Sequence, residues 1–233
     1  MARIDGRAND QLRPIKIIPN FNKFAEGSCL IRCGNTQVLC CASVEERTPP
    51  HVPEGEGWVT AEYSMLPRAN RERSKRDVSK LKLSPRSAEI QRLVGRSLRA
   101  CVDMKKLGER TVTIDCDVLQ GDGGTRTASV TGGYVALALA LKKVGAADAL
   151  VDQVAAVSAG IVDDQLLLDL CYEEDSSAQV DLNCVMTAGG KLVELQGTGE
   201  GRAFTVEEQR ALVDLCAKGI ARLQEIQNKV LEG

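Results

Sequence analysis

The chain has 233 residues, of which 43% are hydrophobic and 27% are charged, and its formal net charge is −2. This is an ordinary soluble composition, and the chain is long enough to bury a substantial core. Aromatic residues make up only 3%, so a platform that stacks bases is not expected to dominate any nucleic-acid site. No repeat and no shift in composition marks a boundary, so residues 1–233 are predicted to form a single domain.

The charge is unevenly distributed along the chain. Residues 68–110 contain fourteen Lys or Arg against five Asp or Glu, so the remainder is acidic. This asymmetry predicts a polyanion as a partner of one face.

The nine cysteines include no CxxC pair, and the single histidine, His51, lies in a proline-rich stretch. This pattern disfavours zinc and a disulfide framework, and it favours reduced thiols in the cytoplasm. The polar start of the chain lacks an apolar signal core, and no window approaches the ~18 to 20 apolar residues of a membrane span. No membrane association is expected.

The first part of the chain indicates a series of strands. A short strand is predicted at Ile15–Pro19, followed by a hairpin of residues 28–33 and 37–44 around Gly34-Asn35. A proline-containing loop precedes a further strand at residues 58–66. Residues 68–82 show neither helical nor strand periodicity, so we expect a mobile basic loop, for which a merely solvated charge run is the alternative.

A helix is predicted to begin at Ser84-Pro85, with Ser84 as its cap, and to end near Leu107-Gly108. Its apolar positions recur at helical spacing and should face the core. Its other face carries a basic stripe of Arg92, Arg96 and Arg99.

The most informative stretch follows this helix. Alternating residues at 112–119 predict a strand, three glycines then break it, and residues 125–144 predict a buried helix. Gly124 at the turn and Thr125 and Arg126 at the helix start would offer backbone N–H groups, a hydroxyl and a guanidinium to an anion. The alternative is an ordinary glycine turn with a helix cap. However, a guanidinium in the first turn opposes the helix dipole, which favours an anion nearby.

The last part of the chain predicts two strand pairs, residues 153–162 with 166–172 and residues 178–187 with 191–196. A final helix begins at Thr205, where Glu208 completes a capping box. Mixed strands and helices in this order indicate an α+β fold with a large β-sheet packed against helices.

Four carboxylates between residues 173 and 181 suggest a divalent cation site with oxygen ligands, Mg²⁺ above all. On one straight strand Asp175 and Asp181 would lie ~20 Å apart, so they share a ligand only if the chain turns between them. The alternatives are an acidic surface hairpin and a rival pair, Asp115 and Asp117, on the central strand.

An anion cradle, an acidic cluster and a basic surface together favour one reaction, attack of inorganic phosphate on a phosphodiester. Phosphate is already anionic, so it needs orientation and charge shielding more than a base, and the motifs supply no His, Lys or Cys base. An Asp or a metal would stabilise the leaving 3′ oxygen.

The motifs resemble one family over essentially the whole chain. SPRSAEIQRLVGRSLRA, IDCDVLQGDGGTRTAS and YEEDSSAQVDLN, with the opening RxDGRxNDQLRP, are similar to the ribonuclease PH family of phosphorolytic 3′ exoribonucleases, which trim tRNA precursors. The resemblance implies a ribosomal protein S5 domain 2-like α+β fold, Mg²⁺ or Mn²⁺ as cofactor, phosphate as co-substrate, and a homohexamer built as a trimer of dimers. RNA with a free 3′ end would be the substrate, and nucleoside 5′-diphosphates would be the products of a reversible reaction.

The resemblance also implies roles for individual residues. Arg86, Gly124, Thr125 and Arg126 would bind the phosphate. Asp175 and Asp181 would be the catalytic acidic pair and would hold the metal. RNA would be contacted by the basic loop residues Arg68, Arg71, Arg73, Lys75 and Arg76. Where polynucleotide phosphorylase has a Lys two residues after the second Asp, this chain has Asn183.

Two other classes of function stay open at the level of the sequence. A non-catalytic RNA-binding ring subunit would share the basic loop, but it would need neither the phosphate cradle nor the acidic pair. A nucleotide-binding kinase of a related fold is the weaker alternative, because the chain has no glycine-rich ATP loop with a lysine.

Overall fold

The structure is a computed structural model that describes residues 3–80 and 82–233. The side chains of Val78 and Lys80 are not described, and Leu81 of the predicted basic loop lies outside the described residues. Among the described residues, no helix is both long and apolar enough to cross a membrane.

The chain is an alternation of strands and helices. Within the described ranges the strands are β1 (Ile15–Pro19), β2 (Gly27–Cys33), β3 (Thr36–Glu45), β4 (Trp58–Met65), β5 (Thr111–Gln120), β6 (Val154–Val162), β7 (Gln165–Leu168), β8 (Val180–Thr187) and β9 (Leu192–Gly199). The helices are α1 (Pro85–Arg99), α2 (Met104–Leu107), α3 (Thr125–Lys143), α4 (Tyr172–Ser177) and α5 (Val206–Glu232). Short 3₁₀ turns occur at Asp77–Lys80 and Ala147–Ala149.

The first sheet has five strands in the order β1-β2-β3-β5-β4. Its neighbours are antiparallel except β4 and β5, which run parallel. Helices α1 and α3 cover one face, where the alternating residues of β5 are buried as predicted. The predicted hairpin of β2 and β3 is confirmed, because the two strands pair directly across Gly34-Asn35.

The second sheet has four antiparallel strands in the order β7-β6-β8-β9. Helix α5 packs on this sheet, and α3 contacts both sheets, which is why α3 is buried on nearly all sides. The close packing is evident at Gly132, where a Cβ atom would lie 2.8 Å from Cγ2 of Ile31 and 3.0 Å from Sγ of Cys40. Side chains of the first sheet, rather than a backbone crossing, therefore require this glycine.

The structure corrects three predicted boundaries. The helix predicted from Ser84 to about Leu107 is two helices, because α1 ends at Arg99 and Asp103 caps α2 by accepting hydrogen bonds from two backbone N–H groups. The strand predicted at residues 166–172 ends at Leu168. The basic loop, predicted to lack regular structure, contains the 3₁₀ turn Asp77–Lys80.

The α+β class is confirmed, but the strands form two sheets rather than one large sheet. The division matters for function, because β5 and the start of α3 belong to one sheet layer and α4 and β8 to the other. Residues from the two halves meet where the glycine turn before α3 packs against the start of α4.

Candidate active site

One cavity of about 390 Å³ brings together all six residues predicted from the phosphate and acidic motifs. It lies where α4 and β8 meet the N-terminal ends of α1 and α3. Its lining consists of Arg86, Gly124, Thr125, Arg126, Ser158, Asp175, Ser176, Ala178, Asp181, Asn183 and Glu200. Arginines, a helix start and carboxylates thus line a single cavity.

The glycine turn is built so that no side chain fits. Gly123 and Gly124 have φ angles of 76° and 64°, which glycine adopts without strain. A Cβ atom on Gly123 would lie 2.6 Å from the carbonyl oxygen of Leu170, just before α4. Helix α3 begins immediately afterwards at Thr125, so its first N–H groups, which have no acceptor within the helix, lie at the cavity.

Thr125 is fixed from behind by a tyrosine. The Tyr63 hydroxyl on β4 lies 2.8 Å from Oγ1 of Thr125, and Tyr63 is fully buried. If Tyr63 donates this hydrogen bond, the Thr125 hydroxyl keeps its own proton for a ligand in the cavity.

The guanidinium of Arg126, the second residue of α3, is held in place by hydrogen bonds. Its Nη1 donates to Oε1 of Gln196 at 2.9 Å and to Oε1 of Glu89 at 3.4 Å. Only 19% of the Arg126 side chain is exposed. The side chain is therefore largely ordered before a ligand arrives, and one weak contact to Glu89 leaves its charge available.

Arg86 occupies the first turn of α1 and is exposed to the opening. The position of that turn is fixed by Ser84, whose Oγ accepts a hydrogen bond from the Ser87 N–H at 3.1 Å. Asp77 supports the same cap by accepting from the Ser84 N–H at 3.2 Å. The helix cap thus aims the arginine at the cavity.

The two predicted acidic residues are contributed by different elements, Asp175 by α4 and Asp181 by β8. Burial raises the pKa of Asp181 to about 6, and repulsion by Asp175 adds to the rise. Oδ2 of Asp181 accepts a hydrogen bond from Asn183, but Oδ1 is buried and has no hydrogen-bond partner among the residues that the structure describes. Burial also raises the pKa of Asp175, and this rise is opposed by nearby arginines that include Arg86 and Arg126.

The acidic surface hairpin that the sequence offered as an alternative is wrong, because Tyr172–Ser177 form a helix. Asp175, Ser176 and Ser177 end the helix α4. The start of this helix is fixed by the Glu174 carboxylate, which accepts hydrogen bonds from the Cys171 N–H at 3.1 Å and from Arg3 at 2.6 Å. The short helix and the following turn bring Asp175 back beside Asp181, which a straight strand does not allow.

The rival pair lies elsewhere. Asp115 and Asp117 face a separate cavity of about 620 Å³ on the outer face of the first sheet, together with Glu62. Burial raises the pKa values of both carboxyls. Neither residue contributes to the cavity that holds Asp175 and Asp181.

The sequence analysis missed several residues of this site. Glu200 lines the cavity from the loop after β9, and Ser158 lines it from β6, while Glu89 and Gln196 hold Arg126. Glu200 stands alone between two glycines in the sequence, and neither Ser158 nor Gln196 belongs to a motif that signals chemistry. Glu89 lies in the motif SPRSAE, but its contact with Arg126 could not be read from that motif. Only the packing of β9 beside β8 makes Glu200 a neighbour of the acidic pair.

Of the five predicted RNA-contacting residues, Arg68 and Arg71 lie close to segments that form this cavity. Arg68 and Arg71 line a groove of about 330 Å³ together with Asp122 and Glu173. Asp122 belongs to the glycine turn, and Glu173 lies two residues before Asp175. Arg71 also contacts Glu173 and lies over the ring of Tyr172, 5.3 Å from its centre. The other three predicted residues, Arg73, Lys75 and Arg76, are exposed.

The side chains that line the cavity suit a divalent cation that prefers oxygen ligands only in part. Among the described residues, no group of three or more His, Cys, Asp or Glu side chains is arranged to hold a metal. The carboxylates of Asp175 and Asp181 line the cavity together with Glu200, and the buried Oδ1 of Asp181, which has no hydrogen-bond partner among the described residues, is an oxygen that a cation would satisfy. Mg²⁺ commonly binds through one or two carboxylates and completes its shell with water and substrate phosphates, so the residues fit Mg²⁺ on these terms.

The chain is similar to proteins of one family. Residues 11–143 match domain 1 and residues 152–218 match domain 2 of the 3′ exoribonuclease family. Ribonuclease PH of Moorella thermoacetica is 55% identical over 237 residues, covering 99% of this chain and 95% of that protein. Ribonuclease PH of Bacillus pumilus is 55% identical over 235 residues, covering 98% and 97%.

Solved structures agree on the fold. The crystal structure of rice (Oryza sativa) Rrp46 superposes with a TM-score of 0.84 at 17% identity, covering 99% of this chain and all of that one. The Archaeoglobus fulgidus exosome with RNA bound to its active site gives a TM-score of 0.79 at 26% identity, covering 96% and 91%. The predicted fold, activity and family are thereby confirmed: the chain belongs to the 3′ exoribonuclease family, as a phosphorolytic enzyme of the ribonuclease PH group.

Proposed function

We propose that the 390 Å³ cavity is the place where inorganic phosphate attacks the 3′ end of RNA. The observation that carries this proposal is that one cavity holds both cationic donors and an acidic pair. Arg86, Arg126 and the start of α3 offer donors for a phosphate dianion. Asp175 and Asp181 line the same cavity and would lie near the leaving oxygen.

The proposed reaction needs no base. An oxygen of the bound phosphate attacks the phosphorus of the last phosphodiester, and the bond to the 3′ oxygen of the preceding nucleotide breaks. The products are a nucleoside 5′-diphosphate and an RNA that is one nucleotide shorter, whose 3′ oxygen gains a proton. Without a bound cation the pKa of Asp181 is about 6, so this carboxyl holds a proton in a fraction of molecules near neutral pH and is able to donate it to that oxygen.

We propose further that Asp175 and Asp181 would hold Mg²⁺ or Mn²⁺. When bound, such an ion neutralises negative charge on phosphate oxygens. The chain's own carboxylates would position it, while Arg86 and Arg126 keep the attacking phosphate from being repelled by them.

The RNA would reach the cavity along the basic loop, with Arg68 and Arg71 nearest to the site and Arg73, Lys75 and Arg76 further out. We propose tRNA precursors with a free 3′ end as the substrate. The proteins similar to this chain include exosome structures, one of them an archaeal exosome core, which supports assembly of this chain into a homohexamer, a trimer of dimers.

Two further proposals concern the whole chain. Residues 1–233 work as a single unit, because the cavity takes its lining from both sheets. A cytoplasmic location is supported by the nine cysteines, all of which are free thiols and most of which are buried.

The test is incubation of the protein with a short RNA that has a free 3′ hydroxyl, with Mg²⁺, in the presence and absence of phosphate. Release of nucleoside diphosphates that depends on phosphate is the expected result. Release of nucleoside monophosphates without phosphate would mean hydrolysis, and it would remove the role proposed for Arg86, Arg126 and the α3 start. RNA binding without any release would indicate a non-catalytic subunit.

A further inference from the structure

Arg13 supports the glycine turn from outside the cavity. Its Nη1 donates to the carbonyl oxygen of Asp122 at 2.5 Å, and its Nη2 lies 3.5 Å from the carbonyl oxygen of Gly123. A Cβ atom on Gly124 would come within 2.9 Å of that Nη2, so the guanidinium packs directly against the turn. Arg13 is not among the residues that line the cavity in the described part of the chain.

A buried acid fixes the guanidinium itself. Nη2 of Arg13 lies 2.7 Å from Oδ1 of Asp169, and Oδ2 of the same carboxylate accepts a hydrogen bond from the Arg13 N–H at 2.8 Å. Only 3% of the Arg13 side chain and 6% of the Asp169 side chain are exposed. The Asp169 N–H in turn donates to the carbonyl oxygen of Ser158, a residue of the cavity wall.

The contacts decide which way the turn's N–H groups face. In a planar trans peptide the carbonyl and the N–H point in opposite directions. Arg13 draws the carbonyls of Asp122 and Gly123 to its own side, and the Thr36 hydroxyl donates to the second of them at 2.7 Å. The N–H groups of Gly123 and Gly124 are thereby turned away from Arg13, and Gly124 is a residue of the cavity lining.

We infer that Arg13, anchored by Asp169, is a positioning residue for the attacking phosphate. It touches no substrate, and it acts by holding the turn at residues 122–124 in the one orientation that presents backbone donors to the cavity. Asp169 lies three residues before α4, so the same contacts tie the phosphate side of the site to the helix that carries Asp175. This inference rests on the proposed phosphate site.

The experiment compares Arg13→Lys with a matched control, Arg7→Lys. Arg7 is another buried arginine of the same segment. Its Nη2 donates to the carbonyl oxygen of Asp169 at 3.1 Å, and its Nη1 lies 3.9 Å from Oδ2 of Asp169, so it contacts the same acid as Arg13. In the described part of the chain, however, none of its hydrogen bonds reaches the glycine turn. For each variant, KM for phosphate and kcat at saturating phosphate are measured on a short RNA. The Kd for RNA and the rise in Tm on adding phosphate are measured separately.

A lysine keeps the charge but not the planar fork that reaches two carbonyls and a carboxylate. Arg13→Lys should therefore raise KM for phosphate by about tenfold, since hydrogen bonds to charged groups are lost, while kcat changes by less than about threefold. The Kd for RNA should not change, and the phosphate-induced rise in Tm should shrink. Arg7→Lys should leave KM for phosphate within about twofold of the parent value.

Equal effects of the two substitutions on KM, or a fall in kcat with an unchanged KM, would overturn the inference. If circular dichroism shows that Arg13→Lys does not fold, Asp169→Asn takes its place. This substitution keeps the shape of the side chain and removes only the anchoring charge. It should likewise raise KM for phosphate and leave kcat nearly unchanged. Arg126→Ala is measured alongside. If its KM for phosphate is unchanged, the proposed phosphate site fails, whereas an effect of Arg126→Ala without one of Arg13→Lys refutes the role of Arg13 alone.

Discussion

Asp181→Asn should make the protein more stable at pH 7.5 while abolishing its activity. Burial, with repulsion by Asp175, raises the pKa of Asp181 from 3.8 to about 6, so the folded protein binds more protons than the unfolded chain between these values. Stability therefore falls as pH rises through this window. At pH 7.5 the full pKa shift corresponds to about 3 kcal/mol in the free energy of unfolding. We expect Asp181→Asn to recover about 1–2 kcal/mol of this, because the cavity is open to water.

The assay is thermal unfolding in buffer without divalent cations. For a chain of this length, each kcal/mol of added stability raises Tm by roughly 2–4 °C. Asp181→Asn should therefore raise Tm by about 3–6 °C at pH 7.5. At pH 4.5 the difference should shrink to about a third, because the folded carboxyl is then protonated. Mg²⁺ should raise the Tm of the parent protein and leave that of the variant unchanged.

The control is Asp148→Asn, at an exposed position in the 3₁₀ turn Ala147–Ala149, which should change Tm by less than about 1 °C. RNA binding by Asp181→Asn should survive. A lower Tm at pH 7.5, or a difference that does not depend on pH, would refute the reasoning, because the cavity would then not oppose the charge of Asp181.

Three further outcomes are expected. Arg126→Ala should raise KM for phosphate on the order of 10- to 100-fold in steady-state phosphorolysis, because a charged donor is lost; Arg92→Ala, at an exposed position of α1, is the control. Tyr63→Phe should raise KM for phosphate about three- to tenfold with little change in Tm, and an unchanged KM would mean that the bond to Thr125 only supports packing. Arg73→Ala should weaken RNA binding and lessen the slope of log K against log salt by about 0.7 without altering KM for phosphate; an unchanged slope would place the RNA elsewhere.

Much of the fold was predictable because its signals are local. The alternation along β5, the glycines after it and the capping box of α5 each depend on residues close in sequence, and the structure confirms all three. The end of α1 was not predictable in this way. The apolar spacing continues through Cys101 and Val102, but a bridge between Val102 and Leu150, distant in sequence, ends the helical path.

The sequence by itself determined the chemistry that this protein has available: a glycine turn at a helix start, arginines beside it, two aspartates and a basic loop. These are properties of residue type and short spacing, and they are written in contiguous motifs. They also sufficed to identify the family, because the motifs occur in the family's order.

Only the tertiary structure decided how these parts work together. It placed Asp175 on a short helix rather than in a hairpin turn, added Glu200 and Ser158 to the cavity, and put Arg13 behind the turn that it supports. The reason is physical: Arg13 and the turn that it supports are 109 positions apart, and the burial that raises the pKa of Asp181 arises from elements that are separate in the sequence. No local pattern encodes such distances, because they exist only once both sheets have packed against α3.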